Sequence, residues 1–216
     1  MTVPRGVGVS DPGTPAPASD GVDDASVPTD PLTFAASWLR AAADAPGPTM
    51  TLSTVGLDGY PDARTVLLSL FDGERLHFHT DSRSRKAAEL AAVPRAAVTL
   101  HWPEAARQLV VVGNVAPVSD QEARSAYAAR TPYLQALAWV NDHASAADTP
   151  ARRREAWAAF VRERAGTDLE PPSTWAGFAL TPVRMVFWRG ATDAASNRLA
   201  YHRRADGSWS RESWPG

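Results

Sequence analysis

The strongest constraint on the fold of this chain is a series of short apolar segments separated by Asp-Gly pairs. MTLSTV, DARTVLLSLF and RLHFHT follow one another from Met50, with Asp58-Gly59 and Asp72-Gly73 between them. Asp-Gly is favoured in the tight turns of β-hairpins, so this pattern predicts an antiparallel meander. Two longer apolar segments, RAAVTLHW and RQLVVVGNVAPV, extend it. Together the segments predict a closed or nearly closed β-barrel.

Helices are predicted before, within and after these strands. Asp30-Pro31 places an N-cap residue before a proline suited to the first helical position, which predicts a helix to about residue 45. The helix RKAAELAA follows two serines, at 82 and 84, either of which can serve as its N-cap. Ser119 and Glu122 have the spacing of a capping box, so residues 119 to about 165 are predicted to be helical. The residues after them return to strands.

One structured domain is expected. Residues 1–29 are rich in Pro, Gly, Ser and Asp and lack apolar periodicity, so they are predicted to form a disordered tail. Residues 30–216 are predicted to form an α+β domain that is mainly β, with helices at the periphery of the barrel.

Composition excludes several classes of function. The chain has no Cys, so disulfides, thiolate nucleophiles and cysteine-bound metals are ruled out, and no metal site is predicted. A net charge of −2 gives no basic field for nucleic acid. No apolar run approaches the roughly 20 residues of a membrane span, and no apolar secretion signal is evident, so the protein is expected to be cytoplasmic and not membrane-bound.

The only lysine of the chain, Lys86, lies in a cluster of basic and hydroxyl residues. Arg85 precedes it at the predicted start of a helix, Arg64 lies on a preceding strand, and Thr80 and Ser84 add hydroxyl groups. A helix N-terminus with cationic side chains is suited to a terminal phosphate. The alternative, a solvated basic helix face, stays open on spacing alone.

Four stretches of the sequence resemble the pyridoxamine 5′-phosphate oxidase family of FMN-binding split-barrel flavoproteins. They are ARTVLLS, FHTDSRSRKAAEL, HWPEAARQLVVVGNV and the terminal FWRG with NRLAYHRR, and they occur in the family's order between about residues 30 and 214. The resemblance implies a split β-barrel, bound FMN and a homodimer in which both subunits build each flavin site.

The resemblance also implies which residues hold FMN. The family's strand motif matches Arg64 to Leu68, and its phosphate-binding residues match Ser84 to Lys86. Gln108 matches the residue that hydrogen-bonds the flavin ring, while Trp188 and Arg198 match residues that face the flavin from the partner subunit. The implied FMN-binding residues are Arg64, Thr65, Val66, Leu67, His79, Thr80, Ser84, Arg85, Lys86, Gln108, Trp188 and Arg198.

The substrate residues of the family are less well matched. Ser69 stands where the family has a substrate-phosphate lysine, and Leu134 replaces a serine, although Arg130 is in register. Ala194 and Ser196 occupy the positions of an Arg and a His. Those differences remove most of the positive charge for a phosphate, so vitamin B6 phosphates are expected to be poor substrates. The substrate-binding candidates are Ser69, Arg130, Leu134, His143, Ala194 and Ser196. Tyr133 and Trp139 are further candidates for the wall of a more apolar pocket, and the alternative that Tyr133, Leu134, Trp139 and His143 are core residues stays open.

The resemblance therefore implies an FMN-dependent oxidase or dehydrogenase. It would remove a hydride from a small organic molecule other than vitamin B6, in specialised metabolism, with dioxygen as the reoxidant. The catalytic acid or base is not identifiable from sequence. Two alternatives stay open: an authentic pyridoxine/pyridoxamine 5′-phosphate oxidase, and a flavin-binding protein without turnover.

Overall fold

A computed structural model describes residues 27–41, 48–164 and 167–216. Nine strands form a single antiparallel sheet in these residues. Their bounds are β1 Thr49–Val55, β2 Pro61–Leu67, β3 Leu70–Phe71, β4 Leu76–Asp81, β5 Arg95–Trp102, β6 Arg107–Pro117, β7 Trp175–Arg189, β8 Asn197–Arg203 and β9 Trp209–Pro215. The helices are α1 Pro31–Ala41, α2 Arg85–Ala92, α3 Asp120–Ala128, α4 Pro132–Val140, α5 His143–Ala147 and α6 Pro150–Glu163.

The order of the strands shows how the sheet curls into a barrel. Hydrogen bonds connect β2-β1-β5-β6-β7-β4-β3, and β8 and β9 extend from β7. The two ends of this path, β2 and β3, are separated in the chain only by Leu68 and Ser69. The sheet must therefore bend round until its ends approach one another. The split-barrel prediction is confirmed by this topology.

The barrel core is a layer of inward-facing apolar side chains. Leu52, Val98, Val111 and Met185 stand opposite one another on β1, β5, β6 and β7, and each is 0% exposed. On β1, β5 and β6 every second residue faces inward, as the period of a strand requires. Helix α1 closes one end of the core, where Trp38 is buried against its neighbours.

Two sequence expectations need adjustment. DARTVLLSLF was expected to be one strand, but the chain turns at Leu68 and Ser69, because the two halves pair at opposite ends of the sheet. The predicted tail, residues 1–29, lies outside the described residues up to residue 26, and its disorder stays a prediction there. Its last residues contact the core: Val27 packs against it, and the Tyr201 hydroxyl donates to the Pro28 carbonyl at 2.6 Å.

Other local predictions are confirmed. Ser119 and Glu122 form the capping box at the start of α3, and Ser84 is the N-cap residue of α2. The predicted end of the first helix, near residue 45, lies outside the described residues. Among the helices that the structure describes, none is long and apolar enough to cross a membrane.

Candidate active site

The cationic residues of the predicted phosphate site come together where β2 passes the first turn of α2. An Arg64 Nη2–H group donates to Glu89 Oε2 at 2.7 Å, and the Arg85 Nε–H donates to Glu89 Oε1 at 2.8 Å. Lys86 Nζ donates to Thr80 Oγ1 at 3.1 Å. The sequence prediction that Arg64, Arg85 and Lys86 cluster is consistent with this arrangement.

Glu89, which sequence reasoning missed, connects the two arginines. Its side chain is 0% exposed and also accepts a hydrogen bond from the Thr54 hydroxyl at 2.6 Å. Burial alone would raise the pKa of Glu89, but the hydrogen bonds from Thr54, Arg85 and Arg64 lower it well below its usual range. Its position four residues after Arg85 is the sequence signal that would have indicated this pairing.

Lys86 differs from the two arginines because its ammonium group has only a hydroxyl partner. Within the described residues, no carboxylate lies within 4 Å of Lys86 Nζ. Burial and the nearby charge of Arg64 lower the pKa of Lys86. The Thr80 and Ser84 hydroxyls lie 3.3 Å apart beside it, at the N-terminus of α2. A phosphate group here would relieve the unbalanced charge and accept from both hydroxyls, so these residues fit the phosphate of FMN.

The residues expected at the flavin ring form a second group. Gln108 on β6 stands opposite Trp188 on β7, and Trp188 stands opposite Arg198 on β8. Thr80 stands opposite Ala176, at the other end of β7. Residues 176 and 188 are separated by about 40 Å of extended strand. One protomer therefore presents the two groups at different places.

A cavity of about 890 Å³ lies beside the turn between β2 and β3. Its volume is within the range of small-molecule sites. Most of its wall is apolar, with hydroxyl groups and a few charged or titratable side chains. It is lined by Leu39, Pro48, Leu67, Leu68, Ser69, Leu70, Phe71, His77, His79, Ser119, Gln121, Glu122, Ser125, Ala126, Ala129, Arg130, Thr131 and Leu134.

Two residues that line the cavity, His79 and Arg130, both pack against the Trp175 indole. The His79 imidazole lies parallel to the Trp175 indole, with ring centroids 5.1 Å apart, and the Arg130 guanidinium lies 4.3 Å from an indole-ring centroid. Burial and the nearby charge of Arg130 lower the pKa of His79 to about 4. Its Nδ1 lies 2.9 Å from Ser69 Oγ. His79 is therefore neutral at physiological pH.

Comparisons with known proteins agree with this geometry. The family model described as "Pyridoxamine 5'-phosphate oxidase" matches residues 45–164, and "Pyridoxine 5'-phosphate oxidase C-terminal dimerisation region" matches residues 175–214. The chain belongs to the pyridoxamine 5′-phosphate oxidase family.

Named relatives and solved structures extend the match over most of the chain. A pyridoxine/pyridoxamine 5′-phosphate oxidase of Cupriavidus pinatubonensis is 36% identical over 195 residues, covering 87% of this chain and 90% of that protein. One of Caulobacter vibrioides is 38% identical, covering 83% and 82%. The crystal structure of PhzG from Burkholderia lata, in complex with tetrahydrophenazine-1-carboxylic acid, superimposes with a TM-score of 0.75 at 28% identity, covering 88% and 94%.

Membership of the pyridoxamine 5′-phosphate oxidase family fixes the general chemistry. The chain is an FMN-dependent oxidoreductase of the oxidase type, and FMN is its cofactor. The resemblance implies that Arg64, Thr80, Ser84 and Lys86 bind the FMN phosphate. The structure places these four side chains close together around the first turn of α2, as described above. In the matched strand β2, Thr65 is exposed, Val66 packs against the core and Leu67 faces the cavity. Their contacts with FMN stay predictions.

The structure brings some predicted substrate residues together and not others. Ser69, Arg130 and Leu134 line the cavity. Tyr133 and Trp139 do not, because Tyr133 packs on Trp157 at 5.1 Å and the Trp139 indole donates to the Glu170 carbonyl at 3.0 Å. Tyr133 and Trp139 therefore contact neighbouring residues rather than this cavity, and their assignment to the substrate pocket stays a prediction.

Two of the other predicted substrate residues, Ala194 and Ser196, lie outside the cavity of the same protomer. Ala194 is exposed and Ser196 is half-buried in the loop between β7 and β8, close to Arg198. His143 begins α5, and its side chain is outside the described part of the structure. The roles of these residues stay predictions. Sequence reasoning gave no FMN or substrate role to His77, which lines the cavity, or to Trp175, which packs against the cavity residue His79. Their positions follow from the pairing of β4 with β3 and β7.

Proposed function

We propose that this protein uses FMN to oxidise a small ring-bearing substrate that carries no phosphate ester, with dioxygen as the electron acceptor. The observation that supports this is the cation content of the cavity: Arg130 is the only Arg or Lys that lines it in the described residues. A phosphate dianion needs several cationic or hydrogen-bonding partners. Ser69 stands where the family resemblance places a lysine.

The residues of this chain bind and orient, and the cofactor supplies the redox chemistry. Bound FMN provides an acceptor for two electrons and a proton. Lys86, Thr80 and Ser84 would hold its phosphate, while Glu89 keeps the nearby Arg64 guanidinium in a fixed position. The apolar wall formed by Leu67, Leu70 and other cavity residues would exclude water and place the substrate ring beside β2.

We also propose that the active molecule is a homodimer. The match of residues 175–214 to a dimerisation region supports this. So does the separation of the phosphate-binding group from the group of Gln108, Trp188 and Arg198 along β7. In a two-fold dimer, the phosphate-binding residues of one protomer would lie beside Gln108, Trp188 and Arg198 of its partner.

The second candidate is an authentic pyridoxine/pyridoxamine 5′-phosphate oxidase. The named relatives at 36% and 38% identity support this candidate more directly than the first. Arg130 is retained at the cavity and would contact the substrate phosphate. The two candidates thus differ in whether one arginine suffices for that phosphate.

Anaerobic reduction of the bound flavin distinguishes the candidates. The FMN-loaded protein is mixed with pyridoxine 5′-phosphate, with pyridoxamine 5′-phosphate or with tetrahydrophenazine-1-carboxylic acid, and absorbance near 450 nm is followed by stopped flow. The first candidate requires rapid bleaching by an unphosphorylated ring substrate and slow bleaching by both phosphates. Rapid bleaching by either phosphate would establish the second candidate instead.

A further inference from the structure

The carboxylate of Asp62 lies within ion-pair distance of two of the three cations at the phosphate-binding site. Its Oδ2 atom is 3.0 Å from Arg64 Nη2 and 3.0 Å from Arg85 Nε. Asp62 and Arg64 are two residues apart on β2, so their side chains point to the same face of the sheet. Arg85 reaches this face from the first turn of α2. One carboxylate oxygen thus contacts two guanidinium groups at the cofactor site.

The buried carboxylate of Glu89 is the hydrogen-bond acceptor that the two arginines share. Arg64 and Arg85 donate to it at 2.7 and 2.8 Å, and its side chain is 0% exposed. The other hydrogen bonds of the Arg64 guanidinium in the described residues go to the Thr54 hydroxyl and the Leu52 carbonyl. A buried carboxylate cannot give up its cationic partners without a large loss of stability, because its charge would be left unpaired in the interior. Glu89 is therefore a fixed partner of both arginines.

The Asp62 carboxylate is held less firmly than that of Glu89. Its side chain is 33% exposed, and neither of its contacts with the two arginines has the alignment of a hydrogen bond. Its charge nevertheless acts on them: the hydrogen bond to Glu89 raises the pKa of Arg85 most, and the charge of Asp62 raises it next. A half-exposed ion pair contributes little to stability. Asp62 is therefore a partner that the arginines can exchange for another anion.

The charges of this cluster cancel before any phosphate is counted. Three cations and three carboxylates form it, namely Arg64, Arg85, Lys86, Asp58, Asp62 and Glu89. A phosphate monoester carries a charge of about −1.5 to −2 at neutral pH. It must therefore share the arginines with carboxylates that repel it. Asp58 contacts Arg85 alone, at 3.6 Å, whereas Asp62 is the exposed carboxylate that contacts both arginines.

We propose that Asp62 is a competing counterion, which pairs with Arg64 and Arg85 in place of the FMN phosphate and thereby lowers the affinity of the site for phosphate. A phosphate on its own is then bound weakly, and contacts with the flavin ring supply the rest of the binding energy. Asp62 is thus a specificity-determining residue, since it favours a phosphate that is joined to a flavin over free phosphate. The inference concerns the cofactor site and is independent of which substrate the protein oxidises.

The test compares a flavin that carries a phosphate with one that does not. Apoprotein is titrated with FMN and with riboflavin, and quenching of flavin fluorescence gives the dissociation constants. Asp62→Asn keeps the shape of the side chain and removes its charge, so it should tighten FMN binding by about three- to tenfold. Riboflavin binding should change less than about twofold. Asp148→Asn is the matched control, because Asp148 also pairs with an arginine, Arg152, at 3.8 Å, and it should leave both dissociation constants unchanged.

Inorganic phosphate provides a second readout that does not involve the flavin ring. Its inhibition constant as a competitor of FMN should fall in Asp62→Asn by a factor similar to that for FMN itself. Asp62→Ser also removes the charge and should give the same result, and an unchanged thermal midpoint shows that each variant is folded. Weaker or unchanged FMN binding by the Asp62 variants would overturn the proposal, since Asp62 would then position the arginines or have no influence on the phosphate. Equal tightening of FMN and riboflavin, or an equal effect of Asp148→Asn, would overturn it as well.

Discussion

At the scale of single residues, the three cations of the phosphate-binding site have different partners. Arg64 and Arg85 share the buried Glu89 carboxylate, and Arg85 Nε also lies 3.0 Å from Asp62 Oδ2. Their charges are therefore largely balanced by the protein itself. Lys86 has no such balance among the described residues and contacts Thr80 instead. We infer that Lys86 contributes most of the charge available to the cofactor phosphate.

Lys86→Gln should weaken FMN binding by about 10- to 100-fold, because a charged hydrogen-bond donor to the phosphate is lost. The measurement is quenching of FMN fluorescence on titration with apoprotein. Arg83→Gln is the matched control, since Arg83 is 56% exposed and bonded to Asp81. It should change the dissociation constant less than about twofold. Similar losses in both variants would show a general electrostatic effect instead.

His79 should make the folded protein less stable as the pH falls from about 6.5 to about 4. Its pKa in the folded state is lowered to about 4 from an ordinary value of 6.5. The unfolded chain thus binds more protons in this window, and the free energy of unfolding decreases with decreasing pH. His79→Phe keeps a ring on Trp175 but does not titrate. Urea unfolding of both proteins at pH 7, 5.5 and 4.5 should show the wild type losing more stability than the variant, and parallel losses would contradict the assignment.

Sequence reasoning identified some site residues and missed others for a physical reason. Lys86 and Ser84 were found because they lie together in the chain at a helix start. Arg130 was found only through the family resemblance. Trp175 was missed because it meets His79 through strand pairing across almost a hundred residues. Contacts of that kind leave no local pattern in a single sequence.

At the scale of the elements, the irregular pairing of β6 with β7 depends on one glycine. The register of the two strands shifts between Val112 and Gly113. A Cβ added at Gly113 would lie 2.2 Å from the Thr181 carbonyl oxygen and 2.7 Å from Leu180 Cδ2. Backbone on the facing strand therefore occupies the space of a side chain.

Gly113→Ala should accordingly destabilise the protein by about 2 kcal/mol, because the central strands must separate to admit the methyl group. Urea unfolding followed by circular dichroism measures the change. Ala116→Ser also adds one heavy atom to β6, but at an exposed position, and should have little effect. An unchanged unfolding midpoint for the glycine variant would refute the close approach.

The turns of the sheet were easier to predict than its breaks. The Asp58-Gly59 and Asp72-Gly73 pairs predict hairpin turns, because glycine readily adopts the positive φ found at Gly59 and Gly73. The break at Leu68 and Ser69 carries neither Gly nor Pro. It arises because β2 and β3 bond to different neighbours once the barrel has curled. The break between β2 and β3 is therefore a consequence of the curled sheet as a whole and has no signal in the local sequence.

At the scale of the whole molecule, the division of the FMN-binding residues between two places predicts complementation between subunits. We expect K86Q and R198Q homodimers each to bind FMN weakly. Mixed dimers formed by refolding the two variants together should contain one intact site, built from Lys86 of one protomer and Arg198 of its partner. With random pairing, about one quarter of all sites should regain wild-type affinity. Recovery of no high-affinity site would place both groups in a single protomer.

The long strand β7 also dictates when the barrel can assemble. It pairs with β6 along one edge and with β4 and then β8 along the other. During synthesis, the edges of β4 and β6 that pair with β7 therefore remain unpaired until Trp175 and the residues after it have emerged from the ribosome. Such edges bind other strands readily. Helices α3 to α6 are made during this interval, so all four are synthesised before the barrel can close.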